Sequence, residues 1–179
     1  MNYKILGGVL IVVLLFVITW QVKKDSEKVY PTDDIGVEFT YPEYYFYEER
    51  EEEDGSRVVV LTEDTEESRA LREGTTTPAR EGPVAITIQR FENPDELTAE
   101  EWVKSNAQRS NFSVSSGVFT EIEVDGEPGE RYAWSGLYEG NSVAVAREKD
   151  LFLFTVTFLT YEDKIREDFE ALLKSVSFK

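Results

Sequence analysis

Hydrophobic and polar positions split the chain into one long unbroken apolar run and a series of short alternating ones. Ile5 to Val22 (ILGGVLIVVLLFVITWQV) is eighteen residues without a charge, and thirteen of them are Leu, Ile, Val or Phe. As a helix rising about 1.5 Å per residue it reaches roughly 27 Å, against a hydrocarbon core of about 30 Å. At about −0.3 to −0.6 kcal/mol for each apolar residue, insertion is favoured by about 4 to 8 kcal/mol. The run therefore predicts one N-terminal transmembrane helix, with residues 1–24 forming the segment and its flanks. It is longer than a signal-peptide core, and Thr19 to Lys24 (TWQVKK) contains no A-x-A-like cleavage site. An uncleaved signal anchor is expected, with Trp20 at the interface and Lys23 and Lys24 beyond it.

Residues 25–35 are polar, contain one Pro and have no periodicity, as expected of a tether. Residues 36–179 then alternate as one soluble domain. Val37, Phe39 and Tyr41 against Glu38 and Thr40 predict a half-buried strand stopped by Pro42. Tyr44 to Tyr47 predicts a short second strand, and Glu48 to Gly55 (EEREEEDG) an exposed, self-repelling hairpin loop. Arg57 to Thr62 reads as a strand and Glu63 to Arg80 as a mostly extended loop with room for a helical turn at Ser68 to Arg72. Val84 to Phe91 alternates as a strand. Thr98 and Glu101 form a capping box opening a helix to about Arg109, with Trp102 and Val103 turned inward. A meander follows over Val118–Val124, Gly129–Tyr138, Ser142–Glu148 and Leu151–Leu159, with turns at Asp125-Gly126, Glu139-Gly140-Asn141 and Lys149-Asp150. Leu151 to Leu159 (LFLFTVTFL) is apolar on both faces, which predicts a central strand covered on both sides. Thr160 with Asp163 caps a last helix whose stripe is Ile165, Phe169, Leu172, Leu173 and Val176, before an extended tail at Ser177-Phe178.

Composition removes whole classes of chemistry. The chain has no Cys and no His, so disulfides, thiolate sites, imidazole relays, Ser-His-Asp triads and His metal ligands are excluded. A lipid-bearing N-terminal Cys is excluded too, leaving the peptide itself as the anchor. Glu48 to Gly55 lacks the D-x-[DN]-x-[DN]-G order of a Ca²⁺ loop, so no metal and no cofactor are expected. Lys4, Lys23 and Lys24 flank the apolar run, which leaves 16 basic residues against all 36 acids, a balance of −20 for the domain. Such a domain repels nucleic-acid backbones and anionic headgroups. For orientation, Lys23, Lys24 and Lys28 after the span lean toward a cytoplasmic domain by the charge-bias rule. A single N-terminal span before a long acidic domain is the ordinary arrangement of an exported one, and the domain is expected outside a prokaryotic cell membrane, with the N-terminus cytoplasmic.

The order of an opening strand with an aromatic-Pro end (Phe39-Thr40-Tyr41-Pro42), a middle strand, a Trp-bearing helix (Leu97 to Arg109) and a meander is closed by a helix with a Ser-x-Phe tail (Leu172-Leu173-Lys174-Ser175-Val176-Ser177-Phe178). Over residues 36–179 this resembles the PsbP-like (Mog1/PsbP) superfamily, as a membrane-anchored bacterial member. The resemblance implies an α+β fold, an antiparallel sheet flanked by helices on both faces (an α/β/α sandwich), here preceded by the transmembrane helix. It also implies a non-enzymatic role in binding proteins, with no catalytic residues to transfer.

The expected function is a membrane-anchored, extracytoplasmic protein-binding or accessory module of the cell envelope. Its partners would be the membrane, through Ile5 to Val22, and another envelope protein. Tyr44, Tyr45, Tyr47, Trp134 and Tyr138 are the candidate partner surface, against the alternative that some of them are cross-strand core pairs. A carboxylate-dependent hydrolase of envelope glycans is the competing expectation. It needs two acids about 5–10 Å apart in a cleft, and Glu121 and Glu123 share one strand face about 7 Å apart.

Overall fold

The computed structural model describes residues 26–31, 35–75 and 82–179. The expected transmembrane helix lies outside these residues. Among the described residues no helix is long and apolar enough to cross a membrane.

Seven antiparallel strands form the central sheet: β4 (Tyr45–Glu51), β5 (Arg57–Glu63), β6 (Ile86–Glu92), β7 (Thr120–Val124), β8 (Glu127–Ser135), β9 (Glu139–Arg147) and β10 (Asp150–Phe158). Their spatial order is β4-β5-β6-β10-β9-β8-β7. The doubly apolar run over Leu151 to Leu159 is thus the middle strand, between β6 and β9. Phe152, Phe154, Val156 and Phe158 enter one core, and Leu151 and Leu153 enter the other.

Helix α3 (Ile165–Ser175) covers the first face, burying Ile165, Phe169, Leu172 and Leu173 as the stripe requires. Helix α2 (Ala99–Ser105) covers the second, with Trp102 and Val103 against Phe91, Tyr132 and Leu153. Its capping box is formed as expected, Thr98 and Glu101 exchanging hydrogen bonds. It ends four residues early because Asn106 and Ser110 turn their side chains back onto the carbonyls of Trp102 and Val103. The result is a sheet with helices on both faces.

The chain between Ser26 and Pro31, expected to be tether, is part of the fold. β1 (Glu27–Val29) pairs antiparallel with β3 (Thr40–Pro42). Tyr30 is 2% exposed, stacked on Phe39 at 4.7 Å between ring centroids. The opening strand does not join the main sheet. It breaks at Phe39 into β2 (Val37–Glu38), which pairs with the C-terminal β11 (Ser177–Phe178), and β3.

The acidic run departs from its expectation. Glu48 to Glu51 continue β4, and the loop spans only Glu52 to Ser56. β4 and β7 are the two edges of the sheet, and both carry glutamates (Glu48, Glu49 and Glu51; Glu121 and Glu123). Charged edge strands resist pairing with another chain, which gives these acids a structural role. Part of the expected loop is helix α1 (Glu66–Arg72), opened by a capping box of Thr65 and Ser68.

The turn expected at Glu139-Gly140-Asn141 is displaced. The β8–β9 connection is Gly136 to Tyr138, and Gly140 lies within β9 directly opposite Trp134. A Cβ there would come within 2.2 Å of the Trp134 ring, so this glycine makes room for an indole.

Candidate functional site

The register defines one end of the sheet, called proximal here. It gathers the start of β4 and end of β5 (Tyr45 opposite Glu63), and the end of β10 and start of β9 (Phe158 opposite Glu139). The end of β8 lies there too, with Ser135 opposite Glu139. Helix α1 and the start of α3 sit at this end, as does the first described residue. Ser26 donates its hydroxyl to the Glu43 carboxylate, and its carbonyl accepts from the Glu43 N–H at 2.8 Å.

A groove of about 790 Å³ opens there. Its apolar lining comes from Leu71 of α1, Pro83 and Val84 before β6, Tyr138 of the β8–β9 turn, Leu159 after β10, and Ile165 of α3. Glu63, Glu67, Asp163 and Lys164 supply its charges. Asp163 is held by the Thr160 hydroxyl at 2.7 Å and by the N–H groups of Leu159 and Thr160. The Thr160 side chain, then those backbone donors, keep its carboxyl below the usual carboxylate range. The expected Thr160–Asp163 pair therefore exists, but it shapes the groove wall while α3 itself begins at Ile165. Leu137, Leu159 and Tyr161 are 70%, 67% and 64% exposed, so large apolar side chains reach water at this end.

Beside the groove, Asp168 of α3 is buried and accepts from the Tyr44 hydroxyl at 2.6 Å and the Tyr45 hydroxyl at 3.1 Å. Burial, then the bond to Asp168, pushes the Tyr44 phenol up to about 12. Burial and the same carboxylate raise Tyr45 as well. The arrangement locks α3 onto β4 and fixes the position of Lys164, whose Nζ sits 4.3 Å above the Tyr44 ring.

The candidate aromatic surface is dispersed by the fold. Tyr45 is buried with its hydroxyl on Asp168. Trp134 is buried on the opposite face of the sheet, its Nε1 donating to the Ser142 hydroxyl at 3.0 Å. Neither can be presented to a partner in this conformation. Period-2 alternation sends Tyr45 and Tyr47 to the side covered by α3, where both pack against the core with Tyr44 partly exposed beside them. Only Tyr138 reaches the groove, donating its hydroxyl to the Gly82 carbonyl. Sequence reasoning missed Leu137, Leu159 and Tyr161. Leu159 looks like the last residue of a core strand, and the β8–β9 turn had to be placed three residues earlier for Leu137 to stand out.

Glu121 and Glu123 line a second depression of about 710 Å³ with Glu100 and Glu130. Both are exposed. Glu130, opposite Glu121 in the register, is the acid with a raised carboxyl, from burial first and then the Glu100 and Glu121 charges. Among the described residues no group of acids could hold a metal ion.

A seven-stranded antiparallel sheet between two helical layers defines the class, an α/β/α sandwich. No protein-family model matches the chain, and no curated protein matches its sequence. Among solved structures it is similar to cyanobacterial PsbP (CyanoP) from Synechocystis sp. PCC 6803, with a TM-score of 0.58 and 15% identity over 89% of this chain and 96% of that one. The fold is PsbP-like. A Bacteroides thetaiotaomicron protein superposes at a TM-score of 0.49 and 10% identity, over 87% of this chain and 49% of its own.

Proposed function

We propose that the chain is a non-catalytic, membrane-anchored protein-binding or accessory module, its domain outside the cell membrane. The observation that carries this reading is the partly apolar groove at the proximal end, with Leu159 in its lining and Leu137 and Tyr161 exposed at the same end of the sheet. Exposed apolar area around a concave site, rimmed by polar groups, is the mark of an interaction surface. The PsbP-like fold supports an accessory role by analogy of fold alone. The eighteen-residue apolar run supports the anchor. Glu121 and Glu123, the acids of the competing hydrolytic reading, stand exposed on an edge strand, where edge protection accounts for them.

Membrane fractionation and protease treatment of intact cells test the reading together. The full chain should sediment with membranes and resist salt extraction, and the domain should be digested from outside. Recovery in the soluble fraction overturns the anchor, and full protection overturns the extracytoplasmic placement.

A further inference from the structure

We infer that the groove faces the bilayer and receives the juxtamembrane segment of a neighbouring membrane protein, one that combines apolar side chains with Lys or Arg. This rests on the membrane-anchored reading above and specifies its site and partner chemistry.

The first premise is the length of the leash. If Ile5 to Val22 spans the membrane, Val22 is four peptide steps from Ser26, and a fully extended chain covers at most about 14 Å over four steps. Ser26 is pinned to Glu43 at the proximal end. β1 then runs away from that end, antiparallel to β3, so Glu27 lies nearest the exit, opposite Pro42. Residues 27–30 are engaged in the fold and cannot pay out as slack. Headgroup layers extend the roughly 30 Å hydrocarbon core to about 40–45 Å, or some 5–8 Å on each side. A leash of this length keeps the proximal end at or just above the headgroups.

The second premise is charge. Glu63, Glu67 and Asp163 outnumber Lys164 at the groove, and the Asp163 carboxylate accepts from the Thr160 hydroxyl and the N–H groups of Leu159 and Thr160. Carboxylates at this position oppose burial in lipid and repel anionic headgroups. A groove lined by apolar side chains together with an excess of carboxylates is complementary to an apolar segment bearing cations. Within reach of such a short leash, the matching surface is the stretch of another membrane protein just outside its own span. Leu137 and Tyr161 extend the contact beyond the groove, and Leu159 forms part of its wall.

The test uses the full chain in zwitterionic phosphatidylcholine nanodiscs, labelled with bimane through Leu137→Cys, since the chain has no cysteine of its own. The probes are a short leucine–lysine peptide and its leucine–glutamate counterpart, with empty nanodiscs as the blank. The lysine peptide should shift the bimane emission saturably, and the glutamate peptide should not. Neutralising two of the groove's carboxylates with Glu63→Gln and Glu67→Gln should weaken lysine-peptide binding about tenfold and flatten its salt dependence. Leu159→Ser should weaken it by about tenfold or more while leaving the circular dichroism unchanged. Equal binding of both peptides, or no effect of the glutamate substitutions, overturns the inference. Quenching of the bimane by brominated acyl chains without peptide would give the surface to lipid instead. Disulfide formation between two Leu137→Cys chains in one unlabelled nanodisc would give it to a second copy. Each of these leaves the anchored reading intact, whereas failure of the chain to sediment with membranes would defeat that reading first.

Discussion

Gly140 shows how a residue's meaning can change once its neighbours are known. In sequence, Glu139-Gly140-Asn141 between alternating runs has the composition of a turn. In the fold it is a strand position on which the Trp134 ring lies, the glycine absent of side chain so that the indole can cross to Ser142. Gly140→Ala should displace that ring and cost about 2–4 kcal/mol from overpacking and loss of the Nε1 bond. Thermal melts and a red shift of the tryptophan emission would report it, and an unchanged melting temperature would refute the packing role. Glu130 is also defined by its neighbours. Its carboxyl is raised in the fold, so the native state binds that proton more tightly than the unfolded chain does. The associated stability is full below the ordinary value of 4.5 and is lost as pH rises through the raised one. Glu130→Gln should therefore raise the melting temperature at neutral pH, with the gain disappearing as the pH is taken below the ordinary carboxylate range. A gain that persists in acid would point to a cause other than this titration.

Among the elements, the best foreseen were those whose pattern is local. The capping box at Thr98 and Glu101, the stripe of α3 and the two-faced apolar run of β10 all follow from spacing within one segment. The poorly foreseen elements depend on a partner far along the chain. β1 has a polar sequence and becomes a strand because β3 offers it a pairing edge, while Tyr30 beyond it finds the rings of Phe39 and Tyr47. Tyr30→Ala should cost about 3 kcal/mol or more, as for other buried aromatic truncations, where a residue in a solvated tether would cost almost nothing. Chemical denaturation of the full chain in detergent or nanodiscs gives the comparison. The glutamate run became strand for the same reason: β5 supplies hydrogen bonds that outweigh the repulsion, and the acids remain in water on the outer edge.

Across the whole molecule, the consequence of β1 is a change in geometry. Taking Glu27 to Val29 into the fold leaves only residues 23–25 of the sequence between the apolar run and Ser26, the first described residue. The end of the sheet that carries the groove is also the end at which Ser26 lies. If the apolar run spans the membrane, as proposed above, so short a link would hold this end of the domain toward the bilayer, where a ten-residue tether would let it present any face. Fractionation, protease access and the peptide titration above each read the disposition of the entire domain.

The sequence by itself determined the apolar run, the absence of Cys and His chemistry, the excess of acids, and the elements whose hydrophobic period is contained within them. It also carried the pattern that resembles a PsbP-like sandwich. Periodicity is enough for such features, because burial of one face requires only that the side chains along a segment agree. The candidate surface was decided by tertiary structure alone. Tyr45 and Trp134 have the composition of an interface yet point into opposite cores, while Leu71, Tyr138, Leu159 and Ile165 converge from separate elements to line one groove. Which face an aromatic residue occupies, and which loop ends meet, depends on strand register and on where the chain crosses from one element to the next. Those are set by contacts between residues distant in the chain, which no local pattern encodes.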